Sequence, residues 1–419
     1  MMDFGASSHL AIWGVAGAAT LGVVLRPFGW PEAVWAVAGA ALLAFTGLIG
    51  LDAVVEGMGR GFDVYLFLIG MMLLADVARR EGLFDWLATF AVRHARGSAK
   101  RMFLLVYLVG AVVTVFLSND ATAVVLTPAV YAAAKAAKAD PLPHLFVCAF
   151  IANAASFALP ISNPANLVVF ADRMPALGDW LARFALPSAL SVAATYAALR
   201  FAFRKSLAEP ISSEVESVDL GAAGRIAGVG VVATAIALTA ASALGADLGF
   251  PTFACGVATA LAALAVSRSG ALDLVRGISW SVLPLVAGLF VLVVALERTG
   301  AIAALAGVLR DAAAVSEQGA AWGAGLAVAL ASNLVNNLPA GLIAASAVQQ
   351  AGVSPEVASA VLIGVDIGPN LSITGSLATI LWLAALRREG LDVSFWRFLR
   401  LGAVVMPPAL LAALAGLAL

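Results

Sequence analysis

The 419-residue chain holds two cysteines, three histidines and only 12% charged residues. Each shortage excludes something. Soluble proteins carry about 25% charge, so this is no ordinary cytosolic enzyme. Cys148 and Cys255 stand apart in apolar surroundings, without a C-x-x-C or a Cys/His cluster. That argues against a redox centre, structural zinc or another metal site and reads as two small hydrophobes. The 24 basic and 25 acidic residues leave a net charge of −1 and no basic field for nucleic acid. The apolar stretch His9–Leu25 has neither a basic leader nor a clear cleavage site, so it reads as a first span rather than a signal peptide.

What is present is apolar: 62% of the residues are hydrophobic. The runs are long and rich in Ala, Leu, Val and Gly, as in Ile226–Ala233 and Ala287–Leu296. Barrel strands alternate with period 2; these runs do not. The expectation is an all-α polytopic membrane protein. Spans of about 20 residues are expected near 9–25, 33–50, 62–78, 145–171 and 185–203, then near 225–245, 251–267, 279–296, 356–385 and 400–418. The polar stretch Ser206–Gly224, with Glu209, Pro210, Glu214, Glu216 and Asp219, separates a first transmembrane repeat (1–205) from a second (225–419). Regions 101–134 and 320–350 are apolar but interrupted by polar residues and proline, including Pro128 and Pro339. Each is expected to enter the membrane as a re-entrant hairpin.

Basic residues orient the chain. Arg79, Arg80, Arg93, Arg96, Lys100 and Arg101 place segment 79–101 in the cytoplasm. Arg200, Arg204, Lys205 and Arg225 place the linker there, and Arg268, Arg276, Arg387, Arg388, Arg397 and Arg400 follow. The acidic segment 51–63 falls outside.

The halves repeat. Arg80-Glu81-Gly82 matches Arg298-Thr299-Gly300 at an offset of 218, and an amphipathic stretch follows each glycine. Asn119-Asp120 matches Asn336-Asn337 at 217, and Asn153 through Asn166 matches Asp366 through Thr379 at 213. Five crossings per half is an odd number, so the second repeat should be inverted. Inverted repeats with interrupted helices at the midplane mark secondary transporters.

The interruptions hold the polar groups. Pro and Gly break the backbone ladder, and broken backbone survives at membrane depth only against protein or a wet cavity. Ser118, Asn119, Thr122, Asn153, Ser156, Ser162, Asn163, Asn166, Asn336, Asn337, Asn370, Thr374 and Ser376 can satisfy freed backbone groups or bind a polar substrate. Two acids lie among them, Asp120 and Asp366, one from each half and each matched to an amide in the other. A carboxylate at the bilayer centre costs about 2.5–3.5 kcal/mol on insertion scales, and no Lys or Arg lies within these motifs. Each should be protonated, paired or functional, which suits a proton-coupling pair. The acids Asp76, Asp85, Glu297 and Asp311 fall near span ends, where solvation is expected.

These motifs resemble the ArsB family of arsenite and antimonite efflux permeases, within the ion transporter superfamily. The resemblance runs over nearly the whole chain. Its most specific part is Gly364-Val365-Asp366-Ile367-Gly368-Pro369, then Gly375-Ser376-Leu377-Ala378-Thr379 and Leu381-Trp382-Leu383. Asn119-Asp120, Leu126-Thr127-Pro128, Ser162-Asn163 and Asn336-Asn337-Leu338-Pro339 match further family motifs. The resemblance implies a multi-pass protein of the bacterial inner membrane. It would export neutral As(OH)3 or Sb(OH)3 in exchange for protons by alternating access, without a cofactor, with an ArsA-type cytoplasmic ATPase as an optional partner. A sodium/proton antiporter or another carrier of the superfamily is the alternative, since Asp120 and Asp366 could hold a cation through oxygen. An intramembrane aspartyl protease would need Tyr-Asp and Gly-x-Gly-Asp, which Asn119-Asp120 and Val365-Asp366 do not supply.

Overall fold

A computed structural model describes residues 6–170, 174–212, 215–216, 218–267 and 270–419. Glu214 of the linker and Arg268 of a basic loop lie outside the described residues. The fold is all-α, as the apolar runs imply, with no strand among the described residues.

The same order of elements occurs twice. The first half contains α1 (Ala6–Leu25), α2 (Glu32–Phe45), α3 (Leu51–Arg60), α4 (Phe62–Arg80) and α5 (Leu83–His94). A hairpin follows, of α6 (Ala99–Phe116), a π turn (Ala121–Leu126) and α7 (Thr127–Ala136). An interrupted helix, α8 (Pro141–Ala154) and α9 (Pro164–Val169), then leads to α10 (Leu177–Ala202). The second half contains α11 (Ala222–Ala243), α12 (Gly249–Val266), α13 (Ala271–Gly277), α14 (Val282–Arg298) and α15 (Ala301–Val315). Its hairpin is α16 (Glu317–Val335) and α17 (Asn337–Ala351), its interrupted helix α18 (Pro355–Ile367) and α19 (Leu377–Arg388), and its last helix α20 (Phe395–Leu417). Gly82 and Gly300 both take positive φ, 75° and 81°, where a side chain would strain the backbone. Each turns the chain sharply into the amphipathic helix that follows.

Two helix pairs cross between the halves at small residues. In one, α4 and α12 run parallel: the Asp63 Oδ1 accepts from the Gly249 N–H at 2.8 Å. Further along, a Cβ on Gly70 would lie 2.3 Å from the Thr252 carbonyl oxygen. In the other, α14 lies on α2, where a Cβ on Gly288 would lie 2.8 Å from the Ala36 carbonyl carbon. Gly70 and Gly288 are again 218 residues apart. Small residues let backbones approach in lipid, where helix association depends on close packing.

Polar contacts fix the helix directions. Beside the start of α4, Arg60 pairs with Glu297 at 2.9 Å, and Arg298 reaches Asp52 at 2.9 Å and Glu56 at 3.0 Å. The end of α14 therefore lies beside the start of α4. At the other end of α4, Arg80 donates to the Asp273 carbonyl of α13. Helices α4 and α14 thus run antiparallel. Glu297 is paired rather than freely solvated, a correction to the sequence expectation.

Seven helices are long and apolar enough to cross a membrane, or eight if the bent pair α3–α4 forms one span, among the described residues. One of the seven is the hairpin arm α6. The remaining expected crossings are the 14-residue α2 and the interrupted pairs α8–α9 and α18–α19, none of them a continuous long helix. Exposed Leu21, Leu25, Leu42, Val229, Val232, Ile236 and Leu261 on the outer helices form a surface suited to lipid.

Candidate functional site

Pro128 lacks the N–H that would bond to the Val124 carbonyl, and the chain before it winds as the π turn. The Thr127 hydroxyl donates to the Ala123 carbonyl at 2.7 Å, and Thr114 and Thr122 share a hydroxyl bond at 2.8 Å. At the tip, Ser118 Oγ accepts from the Ala121 N–H at 3.1 Å, and Asn119 Oδ1 accepts from the Asp120 N–H at 2.9 Å. Asp120 is partly buried, and its carboxyl has no hydrogen-bond or ion-pair partner among the described residues.

The second hairpin turns on a single residue. Asn336 adopts φ 72° and ψ 152°, a region nearly confined to glycine. Its side chain accepts from the Leu338 N–H and donates to the Thr374 carbonyl, each at 3.3 Å. Asn333 is the brace that sequence reasoning left out of the site. It donates to the Ala329 and Gly368 carbonyls at 2.8 and 2.9 Å and accepts from the Ser372 hydroxyl at 2.7 Å.

Side chains also satisfy the broken backbone of both interrupted helices. In the first, Asn166 donates to the Ser156 and Leu159 carbonyls at 2.8 and 3.1 Å. Ser156 donates to the Asn153 carbonyl at 2.8 Å, and Ser162 to Val115 at 2.9 Å. In the second, Thr374 donates to the Asn333 carbonyl at 3.1 Å, and Ser376 accepts from the Thr379 N–H at 3.1 Å. Two links join the breaks. Asn153 donates to Asn370 Oδ1 at 3.0 Å, and Asn370 donates to the Phe150 carbonyl at 3.0 Å. Asn163 donates to Asp366 Oδ1 at 2.8 Å. Asp366 is fully buried, and its Oδ2 has no hydrogen-bond partner.

Hairpin tips and helix breaks meet around a central cavity of about 40 Å³. Asn119, Asp120, Asn163 and Pro164 line it from the first half, with Val64 and Leu68 of α4. Asn337, Leu338, Ser376 and Leu377 line it from the second, with Val282 and Val286 of α14. The walls are repeat-related: Val64 and Leu68 match Val282 and Val286 at 218, Asp120 matches Asn337 at 217, and Asn163 matches Ser376 at 213. The polar groups are one carboxyl, three amides and one hydroxyl; no Lys, Arg or His lines the cavity among the described residues. The amino end of α19 opens onto it through Leu377 and Ala378, while Asn163 caps the amino end of α9 by accepting from the Ala165 N–H at 3.0 Å.

Of the residues singled out in the sequence, Asn119, Asp120, Asn163, Asn337 and Ser376 come together at the cavity. Ser118 lies beside Asp120 on a neighbouring cavity. Thr122, Asn153, Ser156, Ser162, Asn166, Asn336, Asn370 and Thr374 are not on its walls; they hold the broken backbone or the neighbouring segment. Asp366 is not on its walls; Asn163, which is, donates to it. Sequence reasoning missed Val64, Leu68, Val282 and Val286, whose signal was their shared offset rather than their chemistry. It also placed Asp76 in solvent. Asp76 is instead buried, 5% exposed, and held by Arg79 and Arg80.

Residues 15–366 match the family model described as citrate transporter. The chain belongs to the citrate transporter family. Within that family's span lie both hairpins and both acids. Over 98% of its length the chain is 28% identical to the arsenical pump membrane proteins of Yersinia enterocolitica and of Escherichia coli K12, covering 96% of each. That bears out the resemblance drawn from the motifs. The fold is similar to that of the Alcanivorax borkumensis YdaH transporter, whose crystal structure has an unusual topology. The TM-score is 0.58 at 16% identity, covering 88% of this chain and 87% of that one. Membership of the citrate transporter family, the arsenical pump relatives and the apolar spans make this chain a transporter of the bacterial inner membrane, crossing it several times.

Proposed function

We propose that this member of the citrate transporter family exports trivalent arsenite or antimonite, as neutral As(OH)3 or Sb(OH)3, in exchange for protons. The observation that carries the reading is the lining of the central cavity. The carboxyl of Asp120 on the wall disfavours a citrate-like anion by repulsion. A neutral trihydroxide calls for small polar donors and acceptors, which Asn119, Asn163, Asn337 and Ser376 supply. The volume of about 40 Å³ suits a small solute.

Asp120 and Asp366 are the proton-coupling pair in this reading. Asp120 faces the substrate directly, so substrate and proton compete for or share its carboxyl. Asp366 senses the site through Asn163, whose amide donates to it. The halves 1–205 and 225–419 act as inverted repeats joined by a cytoplasmic linker, and alternating access follows from exchanging their conformations. Binding that favours one protonation state couples the two fluxes.

Everted vesicles with an acid interior test the reading. Arsenite accumulation that a protonophore abolishes is the expected result. Accumulation of sodium without arsenite would instead establish a cation/proton exchanger and make Asp120 a cation ligand.

A further inference from the structure

A second cavity, of about 130 Å³, adjoins the central one. The two share three wall residues: Leu68, Asp120 and Pro164. From that partition the second cavity runs along α4 past Met71, Met72 and Ala75 to Asp76 and Arg79, with Gly277 and Ser279 of the other half opposite. Its far end is charged and partly exposed. Arg79 is 47% exposed at its side chain and donates to Asp76 Oδ1, and Arg80 donates from Nε to Asp76 Oδ2 at 2.6 Å. Arg80 also ties this end to α13 through the Asp273 carbonyl. This is the face that basic residues assign to the cytoplasm.

The repeat gives a comparison. The positions equivalent to Met71, Met72, Ala75 and Asp76 are Leu289, Phe290, Val293 and Val294, all apolar and buried. The chamber is thus a feature of one side, where flexible thioethers and a compensated carboxylate at the mouth replace packed hydrocarbon.

We propose that the second cavity is a cytoplasmic loading chamber, in which a small neutral polyhydroxyl solute waits before passing the Leu68–Asp120–Pro164 partition into the central site. The identity of the solute rests on the functional reading above; the chamber itself rests on the shared wall and the charged mouth. Asp76, with Arg79 and Arg80, is a positioning group: it keeps the mouth polar and bound to α13. The chamber walls are mostly apolar, with soft thioethers from Met71 and Met72 and polar groups from Ser118, Asp120 and Ser279, and both guanidiniums at the mouth are engaged by Asp76.

Two measurements test this. In a background with Cys148→Ala and Cys255→Ala, a single Met72→Cys should react with a membrane-impermeant maleimide in everted vesicles and resist it in right-side-out vesicles. Arg204→Cys serves as the inside control. Reaction from the outer face, or resistance on both faces while the control reacts, would overturn the chamber. Separately, Ala75→Phe fills the chamber without touching the central lining. It should lower arsenite uptake into everted vesicles about tenfold and block labelling of Met72→Cys. An Ala75→Phe variant that is stable in detergent and transports like the parent would also overturn the proposal. If the parent fails to transport arsenite, the functional reading falls, and the sidedness of labelling still decides the chamber.

Discussion

The two halves share a scaffold and differ in their chemistry. Gly70 of α4 against α12 and Gly288 of α14 against α2 make the same close crossing, and Gly82 and Gly300 make the same turn. The hairpins inside that scaffold do not match. The first winds through a π turn and presents an unpaired acid, Asp120; the second turns on a strained Asn336 and presents an amide, Asn337. The interrupted helices reverse the assignment, with Asn153 in the first and Asp366 in the second. Repetition serves packing, where the same crossing works twice. Divergence falls at the hairpin tips and helix breaks, which gather around the cavity.

The sharpest way to break the comparison is to exchange the acid and amide. Asp120→Asn should lower pH-driven arsenite uptake roughly 100-fold, within the usual range of coupling energies, with the protein still inserted at parental abundance. Asn337→Asp adds a carboxyl and should cost less, about tenfold, because Asp120 stays in place. If the double exchange Asp120→Asn/Asn337→Asp transports as well as the parent, the side of the acid is irrelevant and the asymmetry carries no function.

The scaffold makes the opposite prediction. Gly70→Leu and Gly288→Leu should destabilise the detergent-solubilised protein by similar amounts, about 1–3 kcal/mol or more, because each side chain meets backbone that cannot move aside. Thermal unfolding measured in one detergent compares them. A variant tolerated at one crossing and lost at the other would show that the scaffold is not equivalent in the two halves.

A smaller effect separates the links behind the cavity. Asn163→Ala removes the amide that donates to Asp366 Oδ1 at 2.8 Å, on a buried carboxyl whose Oδ2 already has no hydrogen-bond partner. An orphaned buried group costs about 1–3 kcal/mol. Ser376→Ala, at the equivalent position, should cost less, since it takes a cap from α19 while Asn153 keeps its bond to Asn370. Equal losses would mean that Asp366 does not depend on Asn163.

Much of this was legible in the sequence, because apolar runs, positive loops and repeated glycines are local or periodic signals. Both hairpins, both interrupted helices and the polar residues of Asn119-Asp120, Asn163 and Asn337 could be read from breaks in otherwise apolar stretches. Which polar residue faces the cavity could not. Asn163 and Asn166 are three residues apart with the same chemistry, yet one lines the cavity and donates to Asp366 and the other donates to the Ser156 carbonyl. The backbone path through the break decides that, and no period reports it. Val64, Leu68, Val282 and Val286 were invisible for the opposite reason: they look like any lipid-facing or core residue. Asp76 sits near a span end, where solvent is the default, but Arg79 and Arg80 pair with it and Gly277 of the other half packs against it.

The smallest expected effect tests the hairpin tips. Asn336 holds φ 72° and ψ 152°, which costs a non-glycine residue about 1–3 kcal/mol. Asn336→Gly removes that strain and also loses the side-chain bonds to the Leu338 N–H and the Thr374 carbonyl. At about 1 kcal/mol each, the bonds nearly offset the strain, so unfolding temperature should move little. Asn119 has no positive φ to relieve, and Asn119→Gly loses its bond to the Asp120 N–H while adding backbone freedom. It should therefore destabilise, by about 1–2 kcal/mol. The two glycine variants part only if strain is confined to the second tip. Equal destabilisation would mean that Asn336 is held by its hydrogen bonds alone, and that the two turns differ in shape without differing in energy.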